Sequence, residues 1–278
     1  MADFTGESAD LARRFGGVAR LYGSAALQRF QVARVVVVGI GGVGSWVVEA
    51  LARSAVGHLT LIDLDMVAES NVNRQLHALS GEFGKAKVNA MAERIHAINP
   101  SCAVTTIDDF VTPDNLEATL GTDVDYVVDA IDQVRTKAAM IAWCKSRGIP
   151  IISSGGAGGQ IDPTRIEVAD LARTIQDPLL SKVRSLLRKE YGFTRAPQKK
   201  FGVSAVFSSE PLRTPDSGAN CSQPSSLAGL NCSGFGSSVC VTATFGFFAA
   251  GEVLKHLASE ATLPIIDEQT LPLSLSLS

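Results

Sequence analysis

The sequence predicts a doubly wound α/β fold on a mainly parallel sheet, and three observations predict it. Residues 35–38 are four valines in a row, the pattern of a strand covered on both faces. They lead into Gly39-Ile-Gly41-Gly42-Val-Gly44, which opens a segment of helical periodicity at 46–56 and a second apolar run at 58–63. Strand, glycine turn, helix and strand make one βαβ unit. Third, 46% hydrophobic and 19% charged residues over 278 positions describe a chain that buries a sizeable core and is not disordered throughout.

The elements follow in order. Residues 1–33 read as an N-terminal helical arm, with Arg13, Arg14 and Arg20 around a turn at Gly16-Gly17. The core spans 34–170. Its helical pattern at 85–98 stops at Asn99-Pro100, because the residue before a proline is pushed out of the helical region. Strands are expected at 103–107, 126–130 and 149–153, with a helix at 136–147 and a strand at 166–170 on the far side of the sheet. Residues 171–258 complete the same domain with a basic segment, a strand at 203–207, a loop rich in Ser, Gly, Pro and Asn at 208–238, and a last helix at 239–258. This is an antiparallel and helical elaboration at the C-terminal side. Residues 259–278 form a tail.

Lys and Arg number 25 against 28 Asp and Glu, a net charge of -3 that excludes a uniformly basic nucleic-acid coat but not a local basic patch. Five cysteines, none in a C-x-x-C pair, argue against a disulfide framework and a four-cysteine zinc site, so no zinc is expected. Cys102, Cys144 and Cys240 read as packing residues. The first fifteen residues have no apolar core, which with free thiols predicts a cytoplasmic protein. The uncharged stretch 239–251 is shorter than the roughly 20 residues of a spanning helix. A buried core helix is the favoured reading there, and peripheral or inner-membrane contact through 239–258 the less favoured one.

Gly39-x-Gly41-x-x-Gly44 between a strand and a helix is a phosphate loop: glycine lets the backbone approach closely, and N–H groups at the helix start face an anion. Asp63, at the end of the next strand, is placed to accept from ribose hydroxyls. These features describe a Rossmann-like site for an adenine nucleotide but do not separate NAD from ATP. Asp65, Ser70-Asn71-Val72-Asn73-Arg74-Gln75, Lys87 and Asp129-x-x-Asp132 separate them. Hydride transfer needs no Arg and Lys beside the pyrophosphate, whereas nucleotidyl transfer needs cations and Mg²⁺ to neutralise the moving charge.

As a set, G-x-G-G-x-G, D-x-D, S-N-x-N-R-Q, the downstream lysine and D-x-x-D resemble the E1-like (ThiF-like) adenylating family over about residues 34–155. The resemblance implies an E1-like adenylation fold. Gly39, Gly41, Gly42 and Gly44 would line the ATP phosphates, and Asp63 the ribose, with Asp65 and Gln75 in the same site. Asn71, Arg74 and Lys87 would contact the phosphates, Arg74 stabilising the transition state, and Asp132 would bind Mg²⁺. A carboxylate would attack the α-phosphate to give an acyl-adenylate. E1-like dimers often supply an arginine from the partner subunit, for which Arg14 and Arg20 are candidates and Arg20 is preferred over a plain surface charge.

Three further stretches extend the likeness to about 14–258: Arg14-Phe-Gly-Gly-x-Ala-Arg20-Leu-Tyr-Gly, Gly39 to Trp46, and Asn231-Cys232-Ser-Gly-Phe-Gly-Ser-Ser-Val-Cys240, together with Phe207-Ser-Ser-Glu210. They resemble the subgroup that dehydrates N6-threonylcarbamoyladenosine at position 37 of tRNA. The implied partner is the modified tRNA, in a homodimeric enzyme. Lys182, Arg184, Arg188, Lys189, Arg195, Lys199 and Lys200 against Glu190 give a net +6 over 182–200. This suits a tRNA backbone, the alternative being a solvated helix face. The family is linked with a cysteine desulfurase and its sulfur acceptor, so Cys232 is a candidate relay thiol, or else a small structural residue. The alternative function is adenylation of the C-terminal carboxylate of a ubiquitin-like sulfur carrier. The two C-x-x-C pairs common in enzymes of that kind are missing here.

Overall fold

The valine run is an inner strand, third in order, of a seven-stranded sheet. In the computed structural model, which describes residues 9–213 and 235–261, the strands are β1 (Arg34–Val38), β2 (His58–Ile62), β3 (Ala103–Ile107), β4 (Tyr126–Asp129), β5 (Ile151–Ser154), β6 (Ile166–Asp170) and β7 (Ser204–Ser208). Their order is β3-β2-β1-β4-β5-β7-β6. Every pairing is parallel except β6 with β7. β7 thus lies inside β6, and the late segment 204–208 is built into the sheet.

Helices cover both faces: α1 (Leu11–Tyr22), α2 (Ser24–Val32), α3 (Gly44–Arg53), α4 (Lys87–Ile98), α5 (Leu116–Leu120), α6 (Val134–Arg147), α7 (Pro178–Glu190) and α8 (Val239–Ala261). Because side chains alternate along a strand, Val35 and Val37 join one core with α2, α3, α4 and α8, while Val36 and Val38 join the other with α5, α6 and α7. That double burial is the physical cause of the unbroken valine run. α8 packs most extensively on α3 and α2. Arg29 of α2 clamps this assembly, reaching Asp125 at 2.6 Å and Glu260 of α8 at 2.9 Å.

Two expectations are corrected. Gly16 and Gly17 make no turn: both lie inside α1, whose Phe15 is buried and whose start is capped by Asp10 accepting from the Arg13 N–H at 2.9 Å. Tertiary anchoring outweighs the roughly 1 kcal/mol per glycine of lost helix propensity. Cys240 does not pack: it is exposed on the first turn of α8, while Cys102 and Cys144 are buried. Burial pushes the Cys102 thiol up to about 11 and the Cys144 thiol up to about 12. Among the described residues no helix is long and apolar enough to cross a membrane. Cys232, most of the 208–238 loop and nearly all of the tail lie outside the described residues.

Candidate active site

The carboxyl ends of β1, β2, β4 and β5 surround one pocket, as expected where strand order reverses in an open parallel sheet. Its wall includes Gly39, Gly41, Gly42, Asp63, Asp65, Arg74, Gln75, Lys87 and Asp132. These nine sequence-expected residues, spread over 94 positions from 39 to 132, therefore meet in space.

Gly39 has φ +87°, and a Cβ there would sit 3.0 Å from the Ala130 carbonyl, so a side chain is excluded on two counts. The N–H groups of Gly41 and Gly42 donate to no acceptor among the described residues, which leaves them for an anion. Gly44 does not line the pocket. It begins α3, pressed against the Gly39 carbonyl so closely that no Cβ fits, and so shapes the loop from behind.

Asp63 is held from two sides: the Ile40 N–H donates to one carboxylate oxygen at 2.6 Å and the Asp65 N–H to the other at 2.9 Å. Burial pushes its carboxyl up from the ordinary carboxylate range, with the nearby Lys87 charge opposing. The Lys87 ammonium is buried, 2.6 Å from Asp65 and 3.8 Å from Asp63. Arg74 is tied at its base, where the Trp46 indole N–H donates to its carbonyl at 3.0 Å. One guanidinium nitrogen donates to the Ser70 carbonyl at 2.8 Å and Asn73 Oδ1 at 2.9 Å. Asn71 stands outside the pocket. Its Oδ1 accepts from the Ala68 N–H at 3.1 Å, shaping the 3-10 turn Glu69–Asn71 that presents Arg74. Arg20 is exposed on α1 and outside the pocket, whereas Arg14 is spent within the chain, donating to the Ala97 and Ile98 carbonyls at 3.1 and 2.7 Å.

Asp132 makes no hydrogen bond or ion pair among the described residues and lines the pocket. Among those residues no group of three His, Cys, Asp or Glu comes together. A single unengaged carboxylate fits Mg²⁺, which keeps waters and binds through one or two carboxylates plus substrate phosphates.

Sequence reasoning named Asp129 only as the first member of D-x-x-D and missed the layer it helps build beneath the pocket. Asp129 and Lys137, both fully buried, pair at 2.8 Å, and the Ser153 hydroxyl donates to Asp129 at 2.7 Å. Asp177 caps α7 by accepting from Leu180 N–H at 2.8 Å and accepts from the Gly156 N–H at 2.9 Å. Burial pushes its carboxyl up, the two donors opposing. It fixes the glycine strip 155–158, whose Gly155, Ala157 and Gly158 line the pocket. The glycine cluster was visible in sequence; the buried aspartate behind it carried no signal.

The basic segment divides. Arg184 donates to the Thr174 hydroxyl, and Arg188 donates to the Thr194 carbonyl at 3.3 Å and lies 5.3 Å over the Phe201 ring. Lys182, Lys189, Arg195, Lys199 and Lys200 are exposed.

Three comparisons bear on this arrangement. The ThiF family model matches residues 15–271. A tRNA threonylcarbamoyladenosine dehydratase of Haemophilus influenzae is 54% identical over 88% of this chain and 93% of its own length. That of Escherichia coli is 53% identical over 90% and 95%. The crystal structure of the E. coli tRNA N6-threonylcarbamoyladenosine dehydratase, TcdA, in complex with ATP superposes with TM-score 0.82 at 51% identity, covering 91% of this chain and 97% of that one.

Proposed function

The chain belongs to the ThiF family, and from that membership we propose its reaction. It is an ATP-dependent enzyme that adenylates the threonylcarbamoyl side chain of N6-threonylcarbamoyladenosine at position 37 of tRNA and closes it, with loss of water, to the cyclic form. The observation that carries this is identity at more than half of the aligned positions along nearly the whole length of two dehydratases. Adenylation of a ubiquitin-like carrier protein is not favoured.

The chemistry asks little proton transfer of the protein at its first step. The threonyl carboxylate is ionised at neutral pH, so it attacks the α-phosphorus without a general base, and pyrophosphate leaves. An atom of the same side chain then attacks the acyl carbon and AMP leaves; being intramolecular, this step needs no cysteine nucleophile. What remains is positioning and charge neutralisation.

In our reading the Gly41 and Gly42 N–H groups, Arg74 and Lys87 hold the phosphates and Asp63 the ribose. Asp132 holds Mg²⁺, which supplies charge neutralisation on the phosphates. Gly44 and Asn71 act through the loop and turn they shape. Exposed Lys182, Lys189, Arg195, Lys199 and Lys200 suit a tRNA backbone, while Arg184 and Arg188 brace the segment. A homodimer is supported by Phe247 and Phe248, exposed on α8, with Phe247 edge-on to Trp46 at 5.8 Å between ring centroids; a cytoplasmic location rests on the free thiols alone. Among the described residues Arg20 has no hydrogen-bond or ion-pair partner to hold it back from a neighbouring site. A sulfur relay through Cys232, with a desulfurase and its acceptor, rests on the family resemblance alone.

The test is AMP release from ATP and Mg²⁺ by the full chain, with tRNA carrying or lacking the modification. We expect release only with the modified tRNA, and a modified nucleoside lighter by one water. Release that needs a ubiquitin-like carrier and ignores tRNA would overturn this reading.

A further inference from the structure

The reaction requires two anions to touch. A carboxylate must come into contact with an α-phosphate that is itself part of a polyanion, and the two repel unless each has its own donors. Lys87, Arg74 and the glycine loop serve the phosphates in the reading above, on which this inference rests. The pocket is also lined by Gly236 and Ser237, just before the last helix, and by Thr242 in its first turn.

Thr242 is 3% exposed, and its Oγ1 has no hydrogen-bond partner among the described residues. A threonine inside a helix ordinarily returns its hydroxyl to the carbonyl four residues back. Thr244 does so, donating to the Cys240 carbonyl at 2.6 Å. Thr242 is placed to do the same with Ser238, whose carbonyl accepts the Thr242 N–H at 3.0 Å, but its hydroxyl is spent nowhere. Such a buried, unsatisfied hydroxyl is costly. Gln75, 7% exposed, likewise leaves Oε1 unpartnered, and its amide nitrogen lies beside Gly41. A half-turn of the amide offers either a donor or an acceptor.

The surrounding packing aims these groups. A Cβ on Gly42 would lie 3.5 Å from the Thr242 methyl and 3.3 Å from Arg74 Cγ. Gly246, one turn on, is close enough that a Cβ there would come within 2.7 Å of the Val43 carbonyl and of Trp46 Cβ. α3 and α8 therefore run side by side, and Val43 before α3 and Ser237 before α8 both line the pocket, so two positive helix ends lie near it. The Asn73 amide donates to the Ser237 carbonyl at 3.0 Å, fastening the start of α8 to the Arg74 turn.

We propose that Thr242, with Gln75 and the first turn of α8, is the subsite that holds the substrate carboxylate beside the α-phosphate. The Thr242 hydroxyl donates to one carboxylate oxygen and leaves the other free to attack phosphorus. No atom of Thr242 changes its bonding in the reaction; it places the nucleophile.

The experiment compares the wild type, Thr242→Val and Thr242→Ser as full-length proteins. Three readouts are needed: ATP affinity by calorimetry, single-turnover AMP formation with modified tRNA, and affinity for modified tRNA against the same tRNA bearing the methyl ester of the threonyl carboxyl. The valine variant is expected to keep ATP affinity within about twofold, because its shape is conserved. AMP formation should fall by about 10- to 100-fold, the loss of a hydrogen bond to a charged group. The serine variant should recover most of it. The wild type should prefer the acid to the ester, and the valine variant should not. An equal loss of ATP affinity would assign the hydroxyl to the nucleotide and overturn the proposal, as would full activity in Thr242→Val or an unchanged preference for the acid. Failure of the wild type to form AMP with modified tRNA would be a different failure, that of the proposed function itself, and would remove the premise.

Discussion

Lys87 and Lys137 are both buried lysines paired with aspartates, at the carboxyl ends of the two strands that flank β1. Lys137 and Asp129 are sealed, with no exposure on either side chain. Lys87 reaches Asp65, whose side chain is 64% exposed, and forms part of the pocket wall. The chemistry of the pair is the same, and solvent access divides the roles. A sealed pair can only hold the fold. An ammonium whose partner stands in water can exchange part of that partnership for a ligand phosphate.

The largest effect that sharpens this contrast is on the sealed side. Lys137→Met leaves Asp129 charged and uncompensated in the interior, and should cost about 3–5 kcal/mol of stability, read by denaturant unfolding. The double change Lys137→Met with Asp129→Leu should recover much of that loss. On the open side, Lys87→Ala should lower AMP formation by about 10²–10³-fold with little change in unfolding. A reversal, with Lys87→Ala unfolding the protein and Lys137→Met harmless to it, would break the comparison.

His77 stands between the two cases. It is buried, with neither ring nitrogen partnered among the described residues. Burial first, and then the Lys87 charge, bring its pKa down from 6.5 to about 4. The folded state thus favours the neutral ring, and between pH 6.5 and 4 the unfolded chain binds more protons. Its contribution is full above pH 6.5 and is lost as pH falls toward 4, a span worth about 3 kcal/mol. His77→Leu should flatten that part of a stability–pH profile. The smallest effect belongs to the solvated charges. Lys199→Glu with Lys200→Glu should weaken tRNA binding several-fold and reduce the slope of log affinity against log salt by about one per lost phosphate contact. ATP affinity should stay as it was.

Much of this site is readable along the chain because its parts are local and chemically unusual. Four valines, a glycine loop, an aspartate after the next strand and an Arg-Gln pair each declare themselves within a few residues. Nine residues expected in the nucleotide site do line one pocket. What went unread has no local mark. Asn71 belongs to the same motif as Arg74, yet its Oδ1 accepts within the turn, since a short amide close to its own backbone bonds there first. Arg184 and Arg188 look like Lys182 and Lys189 in a charge count, but only the fold shows which lie over Phe201 or against Thr174.

The sequence by itself determined the doubly wound class, the strand that carries the phosphate loop and the residue types of the nucleotide site, because periodicity and backbone freedom are properties of short stretches. Tertiary structure alone decided that β7 inserts between β5 and β6, that Asp129 and Lys137 neutralise each other out of sight of solvent, and that Thr242 arrives beside Gly42 from 200 residues downstream. Those are pairings between distant segments, set by which surfaces bury one another when the sheet is covered on both faces.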